Sequence, residues 1–599
     1  SSTPQAPQTR YSDFAVPSTY AELESYVTVV DVLQADYQTL LNVEERTFEN
    51  TVVFFNDLYD RGWRVNLTLA FLEIVAPDDD MRALASQTRL QLSSWFFQLV
   101  TDSVLHHLIL PFIENKDQYT GSDLTALESV EELLTDYGMG LDEDSLSALT
   151  ALNIQTETLH QQITYLDTMG DPDGLIPGLF ADLIKTQTAS AQYMGYENFA
   201  DYKLSEQMPG SAAVVDDFLV EASARLDVPF NALIEKLQAI KAEETGDPDA
   251  TIYFNDRIYD YLDVYIEAEY GIADFMNKKL YEGVFNIDDI LETLFSLAED
   301  YFDIELVRAV PPGNVWDEDV QYYELRDKES GDILSSLYLD LYARAGKQDM
   351  GGSITTIQRE YTDEEGLDVR PVYAWVMPID KADDEDILVP VSDTLTMFHE
   401  FGHLLQRSLS DAVSNASVSV EYTEIFSQLF EQYFYEREVI NSLLGDHSAW
   451  SDEEYEEWMN AIAASELNRK KTSLALYLYN LRLFTDYTDQ DDVDVLAIQD
   501  EVFAEYYLSY LGLSINIPSI GYQIDFPSTY YAYAWSLGIA LDVADYVREN
   551  GGLLNKENTE MLKKNFYTLE APLDKDEHIR ALLDRDWNMD AFYRYYGAE

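Results

Sequence analysis

The chain predicts a mainly α fold with one small antiparallel sheet, and three patterns carry that expectation. Apolar residues recur at three- and four-residue spacing from about residue 18 to 310, in runs such as LTLAFLEIV and SSWFFQLVTDSVLHHLI. Alternating runs with period two are concentrated between about 315 and 380. The run TLTMFHEFGHLLQRSL then returns to the helical period. A hydrophobic fraction of 46% and an aromatic fraction of 13% supply a packed core for these elements.

The elements follow in order. The opening SSTPQAPQT has no Met and reads as a Ser/Thr/Pro/Gln leader, flexible over residues 1–17 and left either after processing or by trimming of a longer chain. Export to the periplasm or cell envelope is the expectation it raises, with a cytoplasmic location as the alternative. Residues 18–160 form an N-terminal helical lobe, and residues 161–599 form a second helical region. Helix breaks fall at APDDD (76–80), GMGLDED (138–144), MGDPDGLIPG (169–178) and TGDPDA (245–250), where Gly, Pro and Asp favour turns. VQYYELRD and ILSSLYLDLYAR, separated by KESGD, predict a β-hairpin. VRPVYAWVMPI (369–379) predicts a further strand whose Pro371 marks an edge or a strand start. The sheet thus spans about 315–380, immediately before a helix that Ser392 or Asp393 is expected to cap.

The surface is strongly acidic. Lys plus Arg total 37 against 112 Asp plus Glu, a formal charge of −75. Such a field repels nucleic acid and anionic membranes, and it suits either a salty environment or the steering of basic substrates. Cysteine is absent, which excludes disulfides, thiolate metal sites and cysteine nucleophiles. No run of about 18 apolar residues occurs, so no membrane insertion is expected, and a monomer is expected.

The chemistry concentrates in TMFHEFGHLL, residues 396–405. His399 and His403 lie one helical turn apart on one face, the separation at which two imidazoles share a tetrahedral Zn²⁺. Glu400 is about 100° round the helix, too far to join them as a ligand but able to take a proton from a zinc-bound water. A third protein ligand is required. In VEYTEIFSQLFEQYF, Glu421, Glu424 and Glu431 all fall at helical spacings that can present a carboxylate inward, and spacing does not choose among them.

HEFGH preceded by TLTMF and followed by TEIFSQLFE resembles the thimet oligopeptidase family of zinc metallopeptidases, which includes neurolysin, oligopeptidase A and peptidyl-dipeptidases. GYENFADYKLSEQM, NVWDEDVQYYELRD, LYLDLYARAGK and WNMDAFYRYYG extend the likeness over roughly 160–599. The resemblance implies a zincin-like helical body of two lobes flanking a deep channel. It implies one Zn²⁺ per chain, held by His399, His403 and the third ligand Glu424, with Glu431 orienting a ligand histidine. Phe426 stands where the family has a proline. In STYYAYAWS the resemblance points to Tyr533 and Tyr530 as phenol donors to the oxyanion. The family's loop histidine is missing, with Tyr522 in that region as a substitute, and its histidine three residues after the second ligand is Gln406. The implied activity is a zinc metalloendopeptidase acting on short unstructured peptides. The alternatives are a peptidyl-dipeptidase, or a catalytically weak peptide-binding protein on the same fold.

Minor signals point elsewhere than to chemistry. Asn66 and Asn415 begin sequons, and His106 and His107 read as helix packing or surface. Arg469, Lys470 and Lys471 are expected to pair with surrounding acids, and DDEDIL (383–388) lacks the spacing of a calcium loop.

Overall fold

The structure is a computed structural model that describes residues 9–10, 12–280, 282–363, 365–381, 386–410, 419–445, 449–486, 493–568 and 574–598. Asn415, His447 and Asp383–Glu385 lie outside the described residues. The chain divides into two compact units, Ser1–Ala151 with Asp303–Lys381, and Leu152–Phe302 with Ala382–Glu599.

In the first unit, helices α1 (Phe54–Val75) and α2 (Asp79–Thr101) are separated at the APDDD break, where Asp78 caps α2 by accepting hydrogen bonds from Asp80 N and Met81 N. Their inward faces place Phe55, Leu58, Leu69, Leu72, Leu92 and Leu99 in one apolar core. Residues 12–17, expected within the leader, are part of this packing. Val16 is buried in the core and Ser12 Oγ donates to Gln358 Oε1 at 2.6 Å. Phe14 packs against the same core, so burial of apolar side chains places residues whose composition alone reads as flexible.

The sheet has five strands, β1 (Ile304–Arg308), β2 (Gln321–Asp327), β3 (Ile333–Tyr342), β4 (Ser353–Gln358) and β5 (Val372–Ile379), in the order β1-β2-β3-β5-β4. The β2–β3 hairpin forms as expected. One feature differs from the sequence reading, and one decides between its two alternatives. The sheet is not wholly antiparallel, because β3 and β5 run parallel. Pro371 marks a strand start rather than an edge: β5 begins at the next residue, lies between β3 and β4, and Pro371 O accepts from Ser336 N at 3.0 Å. A proline just outside the ladder loses no donor to it, which is why an interior strand tolerates this one. The strand β1 falls inside the stretch read as helical, since IELVR is too short to show a period against the helix that ends at Tyr301.

In the second unit the long helices are α3 (Ala212–Thr245), α4 (Val391–Leu409), α5 (Val420–Phe434), α6 (Asp452–Leu483) and α7 (Ala532–Glu549). The TGDPDA break is realised at Gly246, whose left-handed φ of 72° ends α3. Helix α5 is buried on nearly every side, with Ile425, Phe426, Leu429, Phe430, Tyr433 and Phe434 all in the core. Among the described residues no single helix is long and apolar enough to cross a membrane.

Candidate metal centre

Helix α4 starts two to three residues earlier than its expected caps. Pro390 is the N-cap, with φ −61° and ψ 158°, and makes no side-chain capping bond. A proline preset to this backbone geometry serves without a cap, which frees Ser392 Oγ to donate to Leu280 O at 3.1 Å. The buried positions Thr394, Met397, Phe398, Phe401, Leu404, Leu405 and Ser408 recur at three and four residues and fix the helix's roll. Glu400 and His403 lie on other faces of the helix, and both are also buried.

Gly402 sets how closely α4 meets α5. A Cβ at this position would lie 2.8 Å from Phe426 O, Ser427 Cα and Phe430 Cβ, so the two helices touch backbone to backbone there. Phe426 fills the far side of α5 against Phe566 and Tyr567 at ring-centroid distances of 4.8 and 5.0 Å.

The close crossing assigns each of the three candidate carboxylates a different partner. Glu424 Oε2 lies 3.2 Å from His399 Nε2 and 3.4 Å from His403 Nε2. It also accepts from Ser427 Oγ at 2.9 Å. Glu431, two turns further along the same face, reaches the other nitrogen of the same imidazole, with Oε1 2.6 Å from His399 Nδ1. Glu421 faces away and accepts the phenol proton of Tyr531. The His399 and His403 rings stand 4.9 Å apart and nearly perpendicular.

His399, His403 and Glu424 are the cluster among the described residues whose ligand atoms all fall within 4.8 Å of one another. Tetrahedral ligands about 2.0–2.1 Å from a zinc ion stand about 3.3 Å apart, so the 3.2 and 3.4 Å separations to Glu424 fit that ion. The electrostatics agree. Burial would raise the Glu424 carboxyl, but the charges and hydrogen bonds of His403 and His399 hold it well below the usual carboxylate range. Burial likewise opposes charge on His399, yet hydrogen bonds to Glu424 and Glu431 raise its proton affinity well above the ordinary imidazole value. A site this favourable to a proton is one that favours a cation.

Tyr522 and Tyr530 lie on the segment leading into α7, and Tyr533 lies in its first turn. Gln428 Nε2, one turn beyond Glu424, donates to Tyr533 O at 3.0 Å and ties that segment to the ligand helix. Burial, then the Glu424 charge, pushes the Tyr533 phenol well above its ordinary value, so it stays a proton donor. Tyr530 packs edge-on to Tyr533 at 6.1 Å and to Tyr477 at 4.8 Å, and burial raises its phenol as well. Tyr522 is half exposed and stacks flat on Tyr530, 5.3 Å away at 4°. Gln406 Nε2 donates to Ser410 Oγ at 3.0 Å. Ser427, Gln428 and Tyr477 were not singled out from sequence. The first two were visible in EIFSQ, but nothing in the run around Tyr477 distinguishes it from the other tyrosines.

The profile described as Peptidase family M3 matches residues 177–598. The chain belongs to peptidase family M3. Among its relatives, the probable thimet oligopeptidase of Arabidopsis thaliana is 26% identical over 55% of this chain and 46% of its own length. Oligopeptidase A of Escherichia coli (strain K12) is 24% identical over 68% and 60%. This M3 chain therefore spans about half to three-fifths of the length of the curated relatives it matches. The fold is shared with solved structures at low identity. Trypanosoma cruzi metallocarboxypeptidase 1 superposes with a TM-score of 0.57 at 12% identity, covering 94% of this chain and 98% of that one. PZ peptidase A superposes with a TM-score of 0.54 at 12% identity, covering 98% of each.

The remaining expectations of this M3 chain resolve as packing. His106 is buried, with Nε2 2.7 Å from Val100 O, and His107 Nδ1 sits 2.6 Å from Ser103 O. Arg469 pairs with Glu466, and Lys471 Nζ with Asp227 at 2.7 Å. Lys470 is buried, and that burial lowers its ammonium to about 8.

Proposed function

We propose that this protein is a zinc-dependent oligopeptidase that hydrolyses internal bonds of short, unstructured peptides. The observation that carries the reading is the convergence of His399 Nε2, His403 Nε2 and Glu424 Oε2, with Glu431 on the remaining nitrogen of His399. Membership of the M3 family and the relatives named oligopeptidase support it. A zinc ion held by these three residues supplies a Lewis acid and makes the attacking water more acidic.

The chain's own groups do the rest. Glu400, one residue from His399 and buried beside it, accepts the proton of the attacking water and returns it to the leaving amine. Glu431 fixes the tautomer of His399 by accepting its Nδ1 proton, which aims Nε2 at the shared site. The Tyr533 phenol, kept protonated by burial and by Glu424, donates to the oxyanion formed from the peptide carbonyl, and Tyr530 holds its ring in place.

The test is metal analysis of the purified chain coupled with cleavage of a short quenched peptide before and after chelation. One zinc per chain, activity lost on chelation and restored by zinc are expected. Product masses from free-ended and blocked peptides separate internal cleavage from release of C-terminal dipeptides. A Glu400→Gln variant is expected to retain zinc and lose about 10²–10⁴ in kcat. Undiminished hydrolysis by that variant would remove the base.

A further inference from the structure

The segment that carries Tyr522 and leads to Tyr530 and Tyr533 is built as a strained turn. Ser519 and Ser528 adopt φ values of 54° and 67°, in the left-handed region that non-glycine residues rarely occupy. Of the five non-glycine residues with positive φ among the described residues, these two bracket one short helix, Ile520–Asp525.

That turn is fastened on two sides. On the inside Gln523 is fully buried, and its O and Oε1 accept from Asn480 Nδ2 of α6 at 3.2 and 2.9 Å. On the outside Asp525 Oδ1 lies 2.8 Å from His160 Nε2, on helix Glu143–Met169, 365 residues away in sequence. Between the two fasteners, Tyr522 stacks on Tyr530 and Phe526 packs against Tyr533 at 6.0 Å. The two inner hydrogen bonds tie the turn to α6, and the outer pair ties it to the helix Glu143–Met169.

We propose that His160 and Asp525 form a clasp that sets the position of the 519–528 turn, and through it the Tyr530 and Tyr533 rings, relative to the metal centre. His160 is then a positioning residue for peptide hydrolysis, an inference that rests on the peptidase reading above. The clasp is open to solvent, with 34% of the His160 and 56% of the Asp525 side chain exposed. The charged groups about the imidazole are Asp525 from the turn and Glu157 from its own helix, and Asp167 Oδ2 lies nearest the open side of Gly521.

The clasp is also pH-dependent. The hydrogen bond to Asp525 outweighs burial and raises His160 above its ordinary value of 6.5. The charged pair is therefore fully formed below about pH 6.5 and fades as pH rises through the raised value. Lysine in place of His160 keeps a charge at that position well beyond this range.

The experiment compares the full chain with His160→Ala, His160→Lys and Asp525→Asn, by hydrogen exchange over residues 520–527 and by kcat/KM against pH on a quenched peptide. Faster exchange confined to 520–527 at pH 6 is expected in the Ala and Asn variants. An accompanying loss in kcat/KM of about three-fold is expected, the scale of an exposed ion pair. That loss should shrink at alkaline pH, where the neutral imidazole of the wild type keeps at most a hydrogen bond to Asp525, and the Lys variant should retain wild-type acid-side activity into that range. Unchanged exchange and an unchanged pH profile in His160→Ala overturn the proposal. So does a loss equal at every pH that Lys does not rescue. A wild-type chain that cleaves no peptide removes the peptidase reading and the positioning role with it, while exchange still reports whether the turn is clasped.

Discussion

Three acidic residues of one helix have three different fates, decided by a few ångströms. Glu424 and Glu431 lie seven residues apart, nearly two full turns, and so approach the same imidazole from its two nitrogens. Glu421 is rotated away and meets a phenol. Spacing made this set the best candidates for a third ligand, and the family likeness pointed to Glu424, but neither could show that Glu431 and Glu424 share His399. Replacing Glu431 by Gln leaves the imidazole without its anionic partner, and zinc affinity is expected to fall about 10–100-fold. Equilibrium dialysis against a competing chelator measures it. Tyr533→Phe removes a half-buried donor without changing ring packing. A loss of about 10²–10³ in kcat with little change in KM is expected in steady-state kinetics. An intact kcat would take Tyr533 out of the mechanism.

Helices α4 and α5 make the site by crossing at Gly402, immediately before the second histidine. The helical period of TLTMFHEFGHLLQRSL and of TEIFSQLFEQYF was plain in the sequence, because each buried face repeats at three and four residues. Their contact was not, since a glycine inside a helix has no period to betray what it touches. Gly402→Ala gains helix propensity of up to about 1 kcal/mol, but forces a methyl into backbone atoms. The overlap costs about 1–3 kcal/mol, and a net loss of stability with weakened zinc binding is expected. Denaturant melts of zinc-free and zinc-loaded protein separate the two effects, and unchanged values for both would show that the crossing is looser than described. At the same scale, β1 escaped notice because five residues are too few to reveal alternation. Proline at the start of β5 was ambiguous because its effect depends on neighbours that only the assembled sheet supplies.

Over the whole molecule the dominant fact is a formal charge of −75. Carboxylates crowded at this density repel one another unless salt screens them, and the screening length shortens from about 10 Å at 0.1 M to about 3 Å at 1 M. Raising NaCl over that range is expected to raise Tm, measured by scanning calorimetry, and a Tm independent of salt would argue that the acids serve substrate steering instead. Composition, helical periods, the β2–β3 hairpin and the HExxH spacing were determined by the sequence itself, because each is local: a residue's partners lie within a turn or a strand. Tertiary structure alone decided the parallel β3–β5 pair, the meeting of Glu421 with Tyr531 and of Glu431 with His399, and the union of His160 with Asp525. Each of these depends on which distant segments pack together and at what rotation, and no local spacing encodes that.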